Sequence, residues 1–128
     1  MRPVIARLVL LACLAAALAP AAVGATESRQ VFVHLFLVPA TLADGTDAKG
    51  RLPDFEAWLT ATYGGYTRLG QGAGGWKNES GQVETETNTA YLVSTSRDDS
   101  KDIAARLTED FGVRVPYVLV FSAGQYVK

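Results

Sequence analysis

Gly70–Glu86, GQGAGGWKNESGQVETE, is the stretch on which the fold of this chain turns. Gly70, Gly72 and Gly75 satisfy the G-x-G-x-x-G spacing of a phosphate loop. That chemistry needs a strand before the glycines and a helix N-terminus after them, so that backbone amides and the helix dipole face a pyrophosphate. Here Trp76, the polar turn Lys77–Gly81 and a strand-like run follow instead. The stretch therefore reads as the arm and turn of a β-hairpin, where glycine allows a bulge or kink. A dinucleotide site is not expected.

Outward from the hairpin, Gln82–Ser96 is its second strand. Val83, Thr85, Thr87, Thr89, Tyr91 and Val93 alternate with Glu84, Glu86, Asn88, Ala90 and Leu92. Its first half is polar and its second half apolar, so the start projects beyond the core. Tyr66–Leu69 is a short first strand. Before it, Pro53-Asp54-Phe55-Glu56 begins a helix, since proline and acidic residues suit the first turn. Phe55, Trp58, Leu59 and Thr62 share one helical face, and Gly64-Gly65 stops it. Val31–Val38, VFVHLFLV, is β-branched, aromatic and apolar on both faces, the look of a central strand. Beyond the hairpin, Asp98–Ser100 caps a helix with an Ile103, Ala104, Leu107, Phe111 stripe, ended by Gly112. Val113–Phe121 is the last strand, and Pro116 within it points to a free edge or bulge.

The order β-α-β-β-α-β predicts an α+β fold, the ferredoxin-like plait: a four-stranded antiparallel sheet with two helices on one face. One sheet face then lacks cover of its own. Phe32 and Phe36, with Val118 and Val120, are expected on it. A second copy of the sheet is the simplest cover, giving a homodimer; a protein partner or an apolar small ligand would also serve.

The 128 residues suffice for one domain. Residues 1–25 read as a secretory leader: Arg2 and Arg7, an apolar Leu8–Pro20, and small residues before cleavage after Ala25. The domain is then residues 26–128, secreted or periplasmic, with no stable membrane anchor after cleavage. Cys13 leaves with the leader. Leu10-Leu11-Ala12-Cys13 is a poor lipoprotein box, because apolar residues continue after it. The mature chain has no disulfide and depends on its core. Losing Arg2 and Arg7 leaves ten Lys/Arg against thirteen Asp/Glu, a net charge of −3. No basic stripe exists for nucleic acid. With one histidine and no thiolate, a zinc site is not expected, nor is any cofactor. Asn78-Glu79-Ser80 matches a glycosylation sequon but reads as a surface turn.

Candidate site residues are few. His34 is the sole histidine, between Phe32 and Phe36. Its bland role is a packed, hydrogen-bonded side chain; its catalytic role is a general base or haem ligand on the uncovered sheet face. Glu84 and Glu86 share a strand face, where one carboxyl is raised by the other or both are solvated. Trp76 plugs the hairpin end or offers a stacking platform, and Tyr91 completes a possible pocket. No serine-hydrolase elbow, Cys/His pair or metalloprotease motif is present.

The segment Tyr66–Leu92 carries a family likeness. Gly74, Gly75, Trp76, Lys77, Gly81, Val83 and Glu86, with Val31–Val38 and Pro53–Leu59 in consistent order, resemble an uncharacterised family of exported bacterial ferredoxin-like proteins. The resemblance implies the fold and export and no activity. Three functions remain open. The first is an exported binding or interaction module that dimerises through the open sheet face and is not an enzyme. The second is a dimeric α/β-barrel enzyme, either a cofactor-independent monooxygenase or haem-using, with a pocket near His34 and Trp76. The third is an inhibitor or partner of an exported enzyme that adds a strand to its target.

Overall fold

A computed structural model describes residues 27–127 of the chain. The expected leader, with Cys13, lies outside the described residues. The elements run β1 (Glu27–Pro39), a 3-10 turn (Ala48–Arg51), α1 (Leu52–Tyr63), β2 (Thr67–Lys77), β3 (Val83–Thr95), α2 (Ser100–Phe111) and β4 (Val118–Val127). The sheet order is β2-β3-β1-β4, with every neighbour antiparallel. This is the ferredoxin-like α+β plait.

Local chemistry accounts for the helix ends. Pro53 and Asp54 occupy the first turn of α1, and Gly64 closes it at φ 82°. Gly112 closes α2 at φ 68°. Both glycines adopt the left-handed conformation that a Cβ disfavours, and their N–H groups reach back to Thr60 O and Thr108 O, each at 2.9 Å.

The core lies between one sheet face and the helices. Phe36, Val38, Tyr91 and Val93 from the sheet meet Phe55 and Leu59 of α1 and Ile103, Leu107 and Phe111 of α2. Phe55 is its centre. Its ring meets Phe111 edge-on at 5.1 Å, Phe36 at 6.1 Å and Tyr91 at 5.9 Å, and it stacks on Trp58. Phe36 and Tyr91, opposite each other in the ladder, stack in parallel at 5.8 Å.

Three expectations are corrected. The glycine stretch is the hairpin arm expected, but its strand does not end at Leu69: β2 runs from Thr67 to Lys77 against β3, with one register shift. Pairing with β3 along its inner side overrides the weak strand propensity of glycine. The expected bulge is present, between Arg68 and Gly70, where Gly70 has φ 115°. The last strand begins at Val118, not Val113, and the tail to Val127 belongs to it. Pro116 has no N–H for a ladder, so pairing starts beyond it and β1 extends back to Glu27 to match.

The third correction concerns the faces. Phe32, His34, Phe36 and Val38 point to the helices, and so do their β4 partners Ser122, Val120 and Val118. The uncovered face carries Val33, Leu35 and Leu37 instead. Both faces of β1 are apolar, so alternation alone could not decide between them; helix docking does.

Candidate functional site

The uncovered sheet face is the most distinctive surface among the described residues. Leu35 lies between Leu92 of β3 and Leu119 of β4. Val33 lies between Ser94 and Phe121, and Leu37 lies beside Ala90. The three β1 residues are half-buried by their neighbours alone, while Leu119 and Phe121 are 47% and 50% exposed. Towards β2 the face becomes bare backbone: Gly70, Gly72 and Gly74 stand opposite Ala90, Asn88 and Glu86. It ends at the hairpin tip with Trp76 opposite Glu84. One end of the face is thus apolar and the other flat and polar.

The residues singled out from sequence do not converge. His34 lies on the covered face and is fully buried, not on the uncovered face that its catalytic role required. Its Nε2 accepts the Asp99 N–H at 3.0 Å, tying the sheet to the start of α2. In the neutral ring this leaves the hydrogen on Nδ1, which has no partner among the described residues. Asp98 Oδ1 stands 3.6 Å from the same Nε2 and accepts the Ser100 N–H at 2.9 Å, as the expected cap. The bonds from Ser100 hold the Asp98 carboxyl below its ordinary range. His34 is a strut for α2.

Trp76 is no plug. It is 43% exposed, because the hairpin tip runs past both helices and has no core to fill. The ladder partners of His34 and Trp76, Val93 and Glu84, are nine residues apart along β3. That is about 30 Å, and the two side chains point to opposite faces. Glu84 and Glu86 share the uncovered face but are held separately. Glu84 accepts from Asn78 Nδ2 at 2.7 Å, and Glu86 accepts from Asn88 Nδ2 at 2.9 Å. Tyr91 is fully buried under the helices.

The Tyr91 hydroxyl leads to a cluster that the sequence reading missed. It donates to Glu56 Oε1 at 2.7 Å, and Arg68 of β2 pairs with the same oxygen. Arg68 also stands over the Tyr91 ring, 5.9 Å from its centroid. Burial works to raise the Glu56 pKa, but hydrogen bonds from Tyr91, Tyr66 and Arg68 outweigh it and hold the carboxyl below its ordinary value. Burial, then the bond to Glu56, raises the Tyr91 pKa. The cluster latches α1 to β2 and β3. Its signal was in plain view: Glu56 sits on the Leu52, Phe55, Leu59, Tyr63 stripe, where a carboxylate needs a donor.

A cleft of about 370 Å³ opens at the far end of the sheet, lined by Arg29, Tyr63, Ser94, Arg97 and Asp99 among others. None of the residues singled out from sequence lines it. Its charges are largely satisfied internally: Arg29 bonds Gln125, and Arg97 bonds Asp99 at 2.7 Å. Burial pushes the Tyr63 hydroxyl up to about 12, so it stays neutral. Among the described residues no three His, Cys, Asp or Glu side chains converge to hold a metal ion, and no helix is long and apolar enough to cross a membrane.

No protein-family model matches the sequence, and no curated protein is similar to it by sequence. Among solved structures, CutA from the phytopathogen bacterium Xylella fastidiosa is similar, with a TM-score of 0.54 over 71% of this chain and 81% of that one. The two share 15% identity, so the likeness is one of fold. Sheet order, helix placement and this neighbour agree that the chain is a small ferredoxin-like domain with one sheet face left open.

Proposed function

We propose that this protein is a small exported interaction module that works by self-association, two copies meeting through their open sheet faces. The observation that carries the reading is the Leu92–Leu35–Leu119 row across three adjacent strands, with Val33, Leu37 and Phe121 beside it. A contiguous apolar patch of this kind marks an interaction site. A second copy brings the same patch, and a two-fold contact joins like to like. No charged residue interrupts the row. Export rests on the leader ending at Ala25, and predicts a mature protein that begins at Thr26 when its N-terminus is sequenced.

The test is oligomeric mass by light scattering during size-exclusion chromatography. The parent is expected to elute at twice the monomer mass or a multiple of it. Leu119→Lys places a charge in the patch on a residue that is already half exposed, so it should yield a folded protein of at most half the parent's mass. A parent that stays monomeric at high concentration sinks the proposal, as does a Leu119→Lys variant that keeps the parent mass.

A further inference from the structure

The β4 edge carries a second inference. Its sequence is VLVFSAGQYV: ten residues with no charge and no proline, eight of them exposed. Free edges are usually blunted by charges, proline or bulges, because unpaired N–H and C=O groups recruit other strands. The opposite edge shows such devices. β2 carries Arg68 and Lys77 near its ends, a bulge at Leu69 and a run of glycines. β4 pairs with β1 in one continuous register without a bulge.

That register shows which groups are free. Leu37 N–H donates to Tyr117 O at 3.3 Å, in line with the pairs Leu35–Leu119 and Val33–Phe121. Antiparallel ladders alternate, so the odd-numbered residues of β4 bond to β1. Val118, Val120, Ser122, Gly124 and Tyr126 therefore direct their N–H and C=O groups outward. These five positions are symmetric about Ser122.

We infer that β4 pairs antiparallel with β4 of a second copy across a two-fold axis at Ser122. Val118 then faces Tyr126 of the other copy, Val120 faces Gly124, and Ser122 faces itself. All five outward positions are satisfied in both chains, with roughly ten hydrogen bonds. The side chains fit in the same register, since large ones meet small ones: Val120 against Gly124 on one face and Phe121 against Ala123 on the other. A neutral strand lets two copies meet with no like charges opposed. The product is a continuous eight-stranded sheet. This contact uses the edge and stands whether or not the open faces pack together.

Amide hydrogen exchange on the wild-type protein, followed by NMR alongside the light-scattering mass, tests the pairing. In a monomer the Leu119, Phe121 and Ala123 amides exchange slowly, while those of Val120, Ser122 and Gly124 exchange freely. Pairing predicts that the second set is slowed at least tenfold and is released on dilution. Ser122→Pro deletes one outward N–H without touching the β1 ladder, and should halve the mass and restore the alternation. Free exchange of the even-numbered amides overturns the inference. If the mass is then dimeric, the open-face reading survives; if it is monomeric, both fail and the edge is left to a foreign strand or to none. Even-numbered amides slowed in a strict monomer also overturn it, because cover then comes from within the chain. Slowed even-numbered amides in a dimer that Leu119→Lys leaves intact uphold the edge and remove the face.

Discussion

On one face of β1, His34, Phe36 and Val38 are fully buried; on the other, Val33, Leu35 and Leu37 are only half covered. The residue types are nearly the same. The environments differ because the covered face meets a cluster of fixed aromatic geometry centred on Phe55, whereas the open face meets only its own ladder neighbours. The covered side also holds the buried polar groups with specific partners, the Tyr91–Glu56 bond and the His34–Asp99 bond. Hydrophobicity alone does not distinguish a core from an interface; defined partners within the chain do.

The largest effect should come from breaking the covered face at its centre. Phe55→Ala removes a ring that meets Phe36, Trp58, Tyr91 and Phe111. Truncations of this kind cost about 3–5 kcal/mol. A domain of this size has only about 5–15 kcal/mol in total, so the urea midpoint should fall by roughly a fifth or more. A midpoint within a tenth of the parent's would show that Phe55 is not the keystone of that face.

A smaller effect is expected from the latch on the same face. Tyr91→Phe keeps the ring stack and removes one hydrogen bond to a carboxylate, at a cost of about 1.5–3 kcal/mol. The pH dependence has a definite sign. The Glu56 carboxyl is held below its ordinary value in the fold, after burial is outweighed by bonds from Tyr91, Tyr66 and Arg68. The stability it contributes is therefore fully present above the ordinary glutamate pKa of about 4.3, and is lost as pH falls through the lower folded value. Glu56→Gln should flatten that acid limb of the unfolding curve. An unchanged acid limb in Glu56→Gln would assign the dependence to other carboxylates.

How much of this was legible in the sequence follows the range of the interactions involved. Both helices, their glycine stops and the element order rest on neighbours within a few residues, and they were readable. The limits of β2 and β4 were not. A glycine-rich run becomes strand only because β3 lies beside it, and β4 slid past Pro116 to a register set by β1. The uncovered face was expected to hold Phe36 and Val118; it holds Leu35 and Leu119. Period-two alternation is symmetric when both faces are apolar, and docking of Phe55, Ile103 and Leu107 breaks that symmetry. Glu56 on the apolar stripe of α1 signalled the need for a donor, but the donor, Tyr91, lies 35 residues away and no local pattern names it. Among the site candidates, His34 could have been assigned only by knowing that face.

The sharpest separation of the two faces comes from the mildest substitution. Phe121 is half exposed on the open face, and Phe121→Ser removes no contact with the helices. Surface changes of this kind usually stay within about 0.5 kcal/mol, so the isolated domain should unfold almost as before. Association adds stability by mass action, so the parent's melting temperature should rise with protein concentration. In Phe121→Ser that rise should shrink, while the melting temperature at high dilution stays that of the parent. Val38→Ala on the covered face should do the reverse, lowering the melting temperature by the same amount at every concentration. A Phe121→Ser variant that melts lower at all dilutions would place Phe121 in the fold's own core rather than in its contact with a second copy.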